Sequence, residues 1–171
     1  RGSLFGHRAG GQPSQKAFEG RLAVAIAALD PARPVVVEAE SSRIGGLMLP
    51  KQLWLAMCAA PRICLGAPLA ARAAYLARAY SDLTEDPTRL AGVIDDLRPL
   101  HPADRIASWQ AMAAAGDFAG LAAGLMQDHY DRRYEKHRAR FGRADDQTVT
   151  ADALDEAALD RLADRIGALL G

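Results

Sequence analysis

Hydrophobic positions change period several times along this chain, and each change marks an expected element. After a glycine-rich stretch over residues 1–13, Phe18, Leu22, Ile26 and Leu29 recur at helical spacing. Ser14 stands as an N-cap and Pro13 stops the helix from running backward, so a helix is expected over 15–29, ended by Pro31 and Pro34. Val35, Val36 and Val37 form an unbroken β-branched run to Glu38, the pattern of a strand buried on both faces. Residues 41–50, with Gly45 and Gly46, read as a loop, 51–60 as a helix, and 62–66 as a second buried strand containing Cys64. Pro68 then suits an early helix position, with Leu69, Ala73, Leu76 and Tyr80 down one side. Helix, strand, helix, strand, helix is the order of an α/β unit.

Beyond this point the pattern is helical. One helix is expected over 87–97 and another starts near Pro102, with Ile106, Trp109 and Met112 as its apolar stripe. Gly116 and Asp117 break it. A third helix begins near Phe118 and is expected to continue to Phe141, although 131–140 is too polar for a core. Residues 145–149 read as a turn with a short strand. A last helix over 155–170 would turn Leu159, Leu162, Ile166 and Leu169 inward. The chain is therefore expected to be one domain over 1–171, with an α/β portion over 1–82 and a helical portion over 83–171.

Composition narrows the class only slightly. With 171 residues, half of them hydrophobic, the chain can bury a real core. Its formal net charge is zero, so no global field points to nucleic acid or membrane. No apolar run approaches the ~20 residues of a membrane span. The charge is uneven locally, however. Residues 129–143 carry six Arg and Lys against Asp131 and Glu135, whereas acids outweigh Arg161 and Arg165 after Ala144. Cys58 and Cys64 have the wrong spacing for a Cys-x-x-Cys redox or zinc site and read as reduced core thiols.

The candidate chemistry starts with Glu38 and Glu40. Alternating with Ala39, they point to the same side of an extended chain. Two adjacent carboxylates repel unless a cation or water sits between them, so they can hold magnesium or polarise a water; pairing with Arg43 or Arg62 is the plainer alternative. Arg1, Arg8 and the turn Gln12-Pro13-Ser14-Gln15 precede a helix N-terminus, which offers amides to an anion; simple capping by Ser14 is the alternative. Gly10-Gly11 and Gly45-Gly46 lack the Lys-Ser/Thr of a phosphate-binding loop. Arg72 and Arg78 lie on one expected helix, but six residues apart they do not share a face. Arg132, Arg133, Lys136, Arg138 and Arg140, interleaved with Tyr130 and Tyr134, suit an RNA backbone and unstacked bases, or else a solvated helix face.

Taken in order, several blocks resemble the C-terminal domain of tRNA 2-selenouridine synthase. They are Arg1-Gly2-Ser3-x-Phe5-Gly6, Ser14-Gln15 with Phe18-Glu19, Glu38-x-Glu40-Ser41-x-x-Ile44-Gly45, and Pro50-x-x-Leu53. Pro68 before an Arg-bearing helix ending in Tyr80 fits the same pattern. His129-Tyr130-Asp131 with Tyr134 resembles the family's Tyr-Asp-Pro-x-Tyr element, with Arg132 where proline is usual.

The resemblance implies a partial P-loop NTPase-like, kinase-like parallel sheet with flanking helices and a mostly helical C-terminal half. It implies a tRNA-modifying transferase that replaces sulfur by selenium at wobble 2-thiouridine through a geranylated intermediate. Selenophosphate and geranyl diphosphate are the implied substrates. The anion- or diphosphate-binding candidates are Arg1, Gly2, Ser3, Arg8, Gln12, Ser14, Gln15, Glu38, Glu40, Ser41 and Arg72; no metal site is fixed, and Glu38 is the one candidate for magnesium. Arg132, Arg133, Lys136, Arg138 and Arg140 are the tRNA-binding candidates. The catalytic cysteine is expected in a separate rhodanese-like domain that, with the Walker A loop, is missing here. The expectation is a piece of a longer cytoplasmic protein, inactive alone, with tRNA and the rhodanese-like domain as partners. Two other classes stay open: the later half of a P-loop nucleotide or metabolite kinase, and a non-catalytic RNA-binding module.

Overall fold

The computed structural model describes residues 11–38, 41–131 and 146–171. The chain divides into two compact units, Arg1–Pro61 and Arg62–Gly171. The first contains α1 (Gln15–Ala27), a hairpin of β1 (Arg43–Ile44) and β2 (Leu47–Met48), and α2 (Lys51–Ala59). The second contains β3 (Ile63–Gly66), α3 (Leu69–Ala79), α4 (Ser81–Thr84), α5 (Pro87–Asp95), a 3₁₀ turn (Arg98–Leu100), α6 (Ala103–Ala114), α7 (Phe118–Leu125), a π-turn (Met126–Tyr130), β4 (Gln147–Thr150) and α8 (Glu156–Leu170). The described chain is thus a mostly helical α/β protein with a small parallel sheet.

Local devices set most boundaries. The Ser14 hydroxyl accepts from the Ala17 amide at 3.3 Å and opens α1. Helices α2, α3 and α6 each begin directly after a proline, at Pro50, Pro68 and Pro102. Asp86 and Asp155 cap α5 and α8 through Arg89 N and Ala158 N.

The α6–α7 corner uses two adjacent residues twice over. Gly116 takes φ +73° after the end of α6. Its amide donates to Ala113 O, and the Asp117 amide reaches back to Met112 O, which closes a Schellman motif. The Asp117 carboxylate then accepts from Gly120 N and caps α7.

In the second unit, α3 packs on α7 and α5 packs on α6. Leu83, Leu90, Ile94, Leu97, Ile106 and Trp109 form the most buried part of the core. Gln110 crosses from α6 to α5, donating to Ala91 O and Asp95 Oδ1. The parallel ladder pairs Ile63–Gly66 with Gln147–Thr150 in register, and the Ala151 amide extends it to Gly66 O. Val149 is buried, whereas Leu65 on β3 is 57% exposed.

Several expectations need correction. Residues 35–38 form no strand, and Val35, Val36 and Val37 are 52%, 64% and 52% exposed. Their β-branched run supplies propensity, but a strand exists only where a neighbour completes its ladder. The stripe of α1 is covered only at Phe18 and Leu22, which are half-buried, while Ile26 and Leu29 are exposed. The loop over 41–50 contains the β1–β2 hairpin. The α-helical pattern of α7 ends at Leu125 and gives way to the π-turn. On α8, Ala158 and Leu162 are buried but Leu169 is exposed. The polar extension expected over 132–140 lies outside the described residues.

Two glycine substitutions should shift stability in opposite directions. A Cβ on Gly124 would sit 2.9 Å from Nε1 of Trp109, which is 1% exposed and cannot swing away. Gly124→Ala should therefore cost about 1–3 kcal/mol by overpacking. Gly92, inside α5, has no heavy atom within 4 Å of such a Cβ. Gly92→Ala should instead stabilise by about 0.4–1 kcal/mol. Urea denaturation of the two variants beside the parent checks both signs.

Candidate functional site

In the first unit the Gln12-Pro13-Ser14-Gln15 turn is built to hold the hairpin. The Gln12 amide donates to Ile44 O at 2.7 Å and accepts from Gly46 N at 2.7 Å, bracketing the turn. Gln15 pairs with both backbone groups of Met48, donating to its carbonyl at 2.7 Å and accepting from its amide at 3.0 Å. It also donates to Glu19 Oε1. The two side-chain amides thus extend the hairpin edge as a short strand would. Gly45 takes φ +62° at the first turn position, and a Cβ there would meet Gln12 Oε1 at 2.6 Å. The positive φ favours glycine here, and a Cβ would also push the Gln12 amide from its two hydrogen bonds.

The described candidate anion-binding residues of this unit, apart from Glu38, are engaged within it. The Gln12 and Gln15 amides engage the hairpin and the Ser14 hydroxyl caps α1. Ser41 Oγ accepts from Arg43 N at 3.0 Å. Glu38 is exposed. Arg1, Gly2, Ser3, Arg8 and Glu40 lie outside the described residues. Among the described residues, no group of three or more His, Cys, Asp and Glu side chains is gathered as a metal would need. Cys58 and Cys64 are half-buried free thiols.

The second unit gathers charge around the end of α7. Arg72 makes a bidentate pair with Asp131, Nη1 to Oδ1 at 2.8 Å and Nη2 to Oδ2 at 2.9 Å. Hydrogen bonding to Asp131 raises the Arg72 pKa above its ordinary value; burial opposes this and the carboxylate's charge adds to it. The guanidinium is therefore charged at every working pH. Its Nε is buried and has no hydrogen-bond partner among the described residues. Arg78, on the same helix, donates instead to Leu154 O at 3.0 Å, so the two arginines do go separate ways.

Neighbouring side chains are tied to other elements. Arg105 of α6 pairs with Asp128 at 2.8 Å. His101 Nε2 lies 2.9 Å from Nδ1 of His129, which is buried. His101 also stands edge-on to Trp109, with ring centroids 4.8 Å apart. Asp128, His129 and Asp131 are thus each held by a different part of the fold. Sequence reasoning missed Asp128, His101, Arg105 and the role of Asp131. The signal was faint: three polar residues at the end of an otherwise apolar helix, with partners 28 and 59 residues away for His129 and Asp131.

Arg72 also lies in the first turn of α3. Its amide donates to Pro68 O, one turn after the loop that leaves β3. Because β3 and β4 are parallel, Gly66 and Thr150 bring their carboxyl ends to the same edge. In open α/β sheets that edge is where ligands bind. Arg132, Arg133, Lys136, Arg138 and Arg140 lie outside the described residues.

A small parallel sheet followed by helices defines an α/β domain, and comparison with known proteins specifies which. A family model described as the tRNA 2-selenouridine synthase AAA domain matches residues 1–93. The chain belongs to the tRNA 2-selenouridine synthase family. It is 44% identical over 82 residues to the tRNA 2-selenouridine synthase of Cupriavidus pinatubonensis, covering 47% of this chain and 22% of that protein. It is 36% identical over 92 residues to that of Psychromonas ingrahamii, covering 53% of this chain and 25% of the relative. For Alcanivorax borkumensis the values are 45% over 74 residues, 42% and 20%. The chain spans about a fifth to a quarter of the length of these curated relatives. No solved structure matches it. Asp131 and the residues after it lie beyond the part matched by the family model.

The amide clamp gives a direct prediction. Gln12→Ala should speed hydrogen exchange of the Gly46 amide, and Gln15→Ala that of Met48. Each exposed hydrogen bond contributes no more than about 1 kcal/mol, so protection should fall by roughly tenfold or less. Exchange read by NMR, with the α2 amides as internal reference, checks it.

Proposed function

We propose that this chain is part of a tRNA-modifying enzyme that replaces sulfur by selenium at the wobble 2-thiouridine of tRNA. The observation that supports this reading most is the match of the family model over residues 1–93, joined by relatives all named tRNA 2-selenouridine synthase. In this reading the exchange passes through a geranylated thiouridine, with geranyl diphosphate as alkyl donor and selenophosphate as selenium donor. The catalytic cysteine belongs to a rhodanese-like domain elsewhere in the protein, and the chain alone is inactive. The sheet is part of a P-loop-like domain acting in the cytoplasm.

The chain's own residues would bind and orient rather than break bonds. Arg1, Arg8 and the N-terminus of α1 offer positive charge to a diphosphate. Glu38 and Glu40 are the carboxylates that would hold a magnesium ion, whose charge would neutralise a diphosphate. Arg72 is charged but already joined to Asp131, so an anion reaching it must share the guanidinium. The basic residues over 132–140 neutralise tRNA phosphates, and the neighbouring tyrosines can stack on unpaired bases.

Replacing Arg133, Lys136 and Arg138 together with Ala in the full-length protein should weaken tRNA binding. It should also flatten the slope of log affinity against log salt by about 2–3, one unit per lost phosphate contact. Affinity and slope equal to the parent would reduce these residues to a solvated face.

A further inference from the structure

Two histidine rings join the end of α7 to the chain that leads into α6. His101 Nε2 and His129 Nδ1 are 2.9 Å apart, the length of a direct hydrogen bond. His129 is 8% exposed and lies on the π-turn that follows α7. The backbone leaves His101 little freedom. It departs from the 3₁₀ turn at φ −139° and ψ 149°, the extended form that suits a residue before proline, and Pro102 then opens α6. Aromatic rings close the pair on both sides. Trp109, 1% exposed, and His101 meet edge-on at 4.8 Å, as do Tyr130 and His129.

A contact between two ring nitrogens sets a strict limit on protons. One nitrogen must carry the hydrogen and the other must offer its lone pair. The pair can be neutral, or it can take one further proton on a nitrogen outside the contact. It cannot take two, because both facing nitrogens would then be donors and two like charges would stand side by side. The charged groups on the elements packed here are engaged with one another. Arg105 of α6 holds Asp128, Arg72 of α3 holds Asp131, and Asp95 of α5 accepts from Arg98 and Gln110.

We propose that His101 and His129 form an acid-sensitive latch that holds the π-turn at the end of α7 against the segment entering α6. The latch is closed while the two rings share one hydrogen and opens when both become imidazolium. Opening draws His101 from the edge of Trp109 and loosens Met126–Tyr130.

The sign of the pH dependence follows from the proton count. In the unfolded chain each imidazole takes up its own proton near pH 6.5, roughly the ordinary value for histidine. The unfolded chain then binds two protons where the closed latch binds at most one. The stability that the latch contributes is therefore complete above about pH 6.5 and is lost as the pH falls below it. One proton of difference is about a tenfold drop in the folding equilibrium constant for each pH unit.

The test is urea unfolding of the chain from pH 8 to pH 5, beside the variant His101→Gln. The glutamine amide can turn either its nitrogen or its oxygen toward His129, so it suits both protonation states of that ring. His7 and His137 are present in both proteins, and their effects cancel in the comparison. Between about pH 6 and pH 5 the parent should lose roughly tenfold in its folding constant, and His101→Gln should lose less than about threefold. A variant that keeps the parent's slope would show that burial of His129 alone sets it, and would overturn the latch. A parent without a slope would do the same.

Ring-nitrogen NMR of the parent gives a second reading that needs no variant. A scalar coupling between the two facing nitrogens should be seen at pH 8 and should vanish as the second imidazolium appears, with the amide signals of Met126–Tyr130 shifting in step. No coupling at pH 8, or two imidazolium rings with those amide signals unmoved, overturns the latch. If His101→Gln fails to fold, this titration decides alone.

Discussion

One charged contact, the two-point pair between Arg72 and Asp131, joins parts of the second unit that lie 59 residues apart in sequence. It ties the first turns of α3 to the residue that follows the π-turn, across the contact between α3 and α7. The pair is 34% and 26% exposed, so neither ion bears the full cost of removal from water. Both carboxylate oxygens accept from the guanidinium, which fixes orientation as well as distance. In the same unit Ile94, Leu97, Ile106 and Trp109 are buried where α5 meets α6, and Arg105 and His101 join that pair to Asp128 and His129. Apolar burial supplies the stability. The polar contacts fix Asp128, His129 and Asp131 against α6, His101 and α3.

The first unit solves a different problem with the same economy. A hairpin of two-residue strands cannot hold itself in water. Here Gln12 and Gln15 lend it side-chain amides as though they were a third strand, and Gly45 lets the turn come close enough. Gln12 on one side with Ile44 and Gly46 on the other, and Gln15 with Met48, thus form one structural joint that runs through parts of the blocks carrying the family resemblance. This gives a physical reason for that part of the motif that is independent of any ligand.

What could be read from the sequence was local. Ser14, Pro68, Asp155 and the Gly116-Asp117 break state their roles within four residues of themselves, and the structure uses each of them at the expected helix end. Ile106 and Trp109 showed as core through helical spacing. Leu83, equally buried, lies in a four-residue helix too short to show a period. The run 35–37 misled because β-branching describes a preference, while a strand depends on a neighbour chosen by the whole fold. Of the candidate site, residue types were legible but partners were not. Nothing near Arg72 names Asp131, and nothing near Gln12 names Gly46. Such pairings are made by topology, and a single sequence carries no direct trace of them.

The central claim is that Arg72 and Asp131 act as one unit in holding the end of α7 to α3. A double-mutant cycle on stability tests it most directly, with Arg72→Ala, Asp131→Ala and the double variant unfolded in urea beside the parent. A bidentate charged pair at this exposure should show a coupling free energy of about 1 kcal/mol, above the ~0.3–0.5 kcal/mol scatter of independent sites. Single effects that simply add would contradict the account.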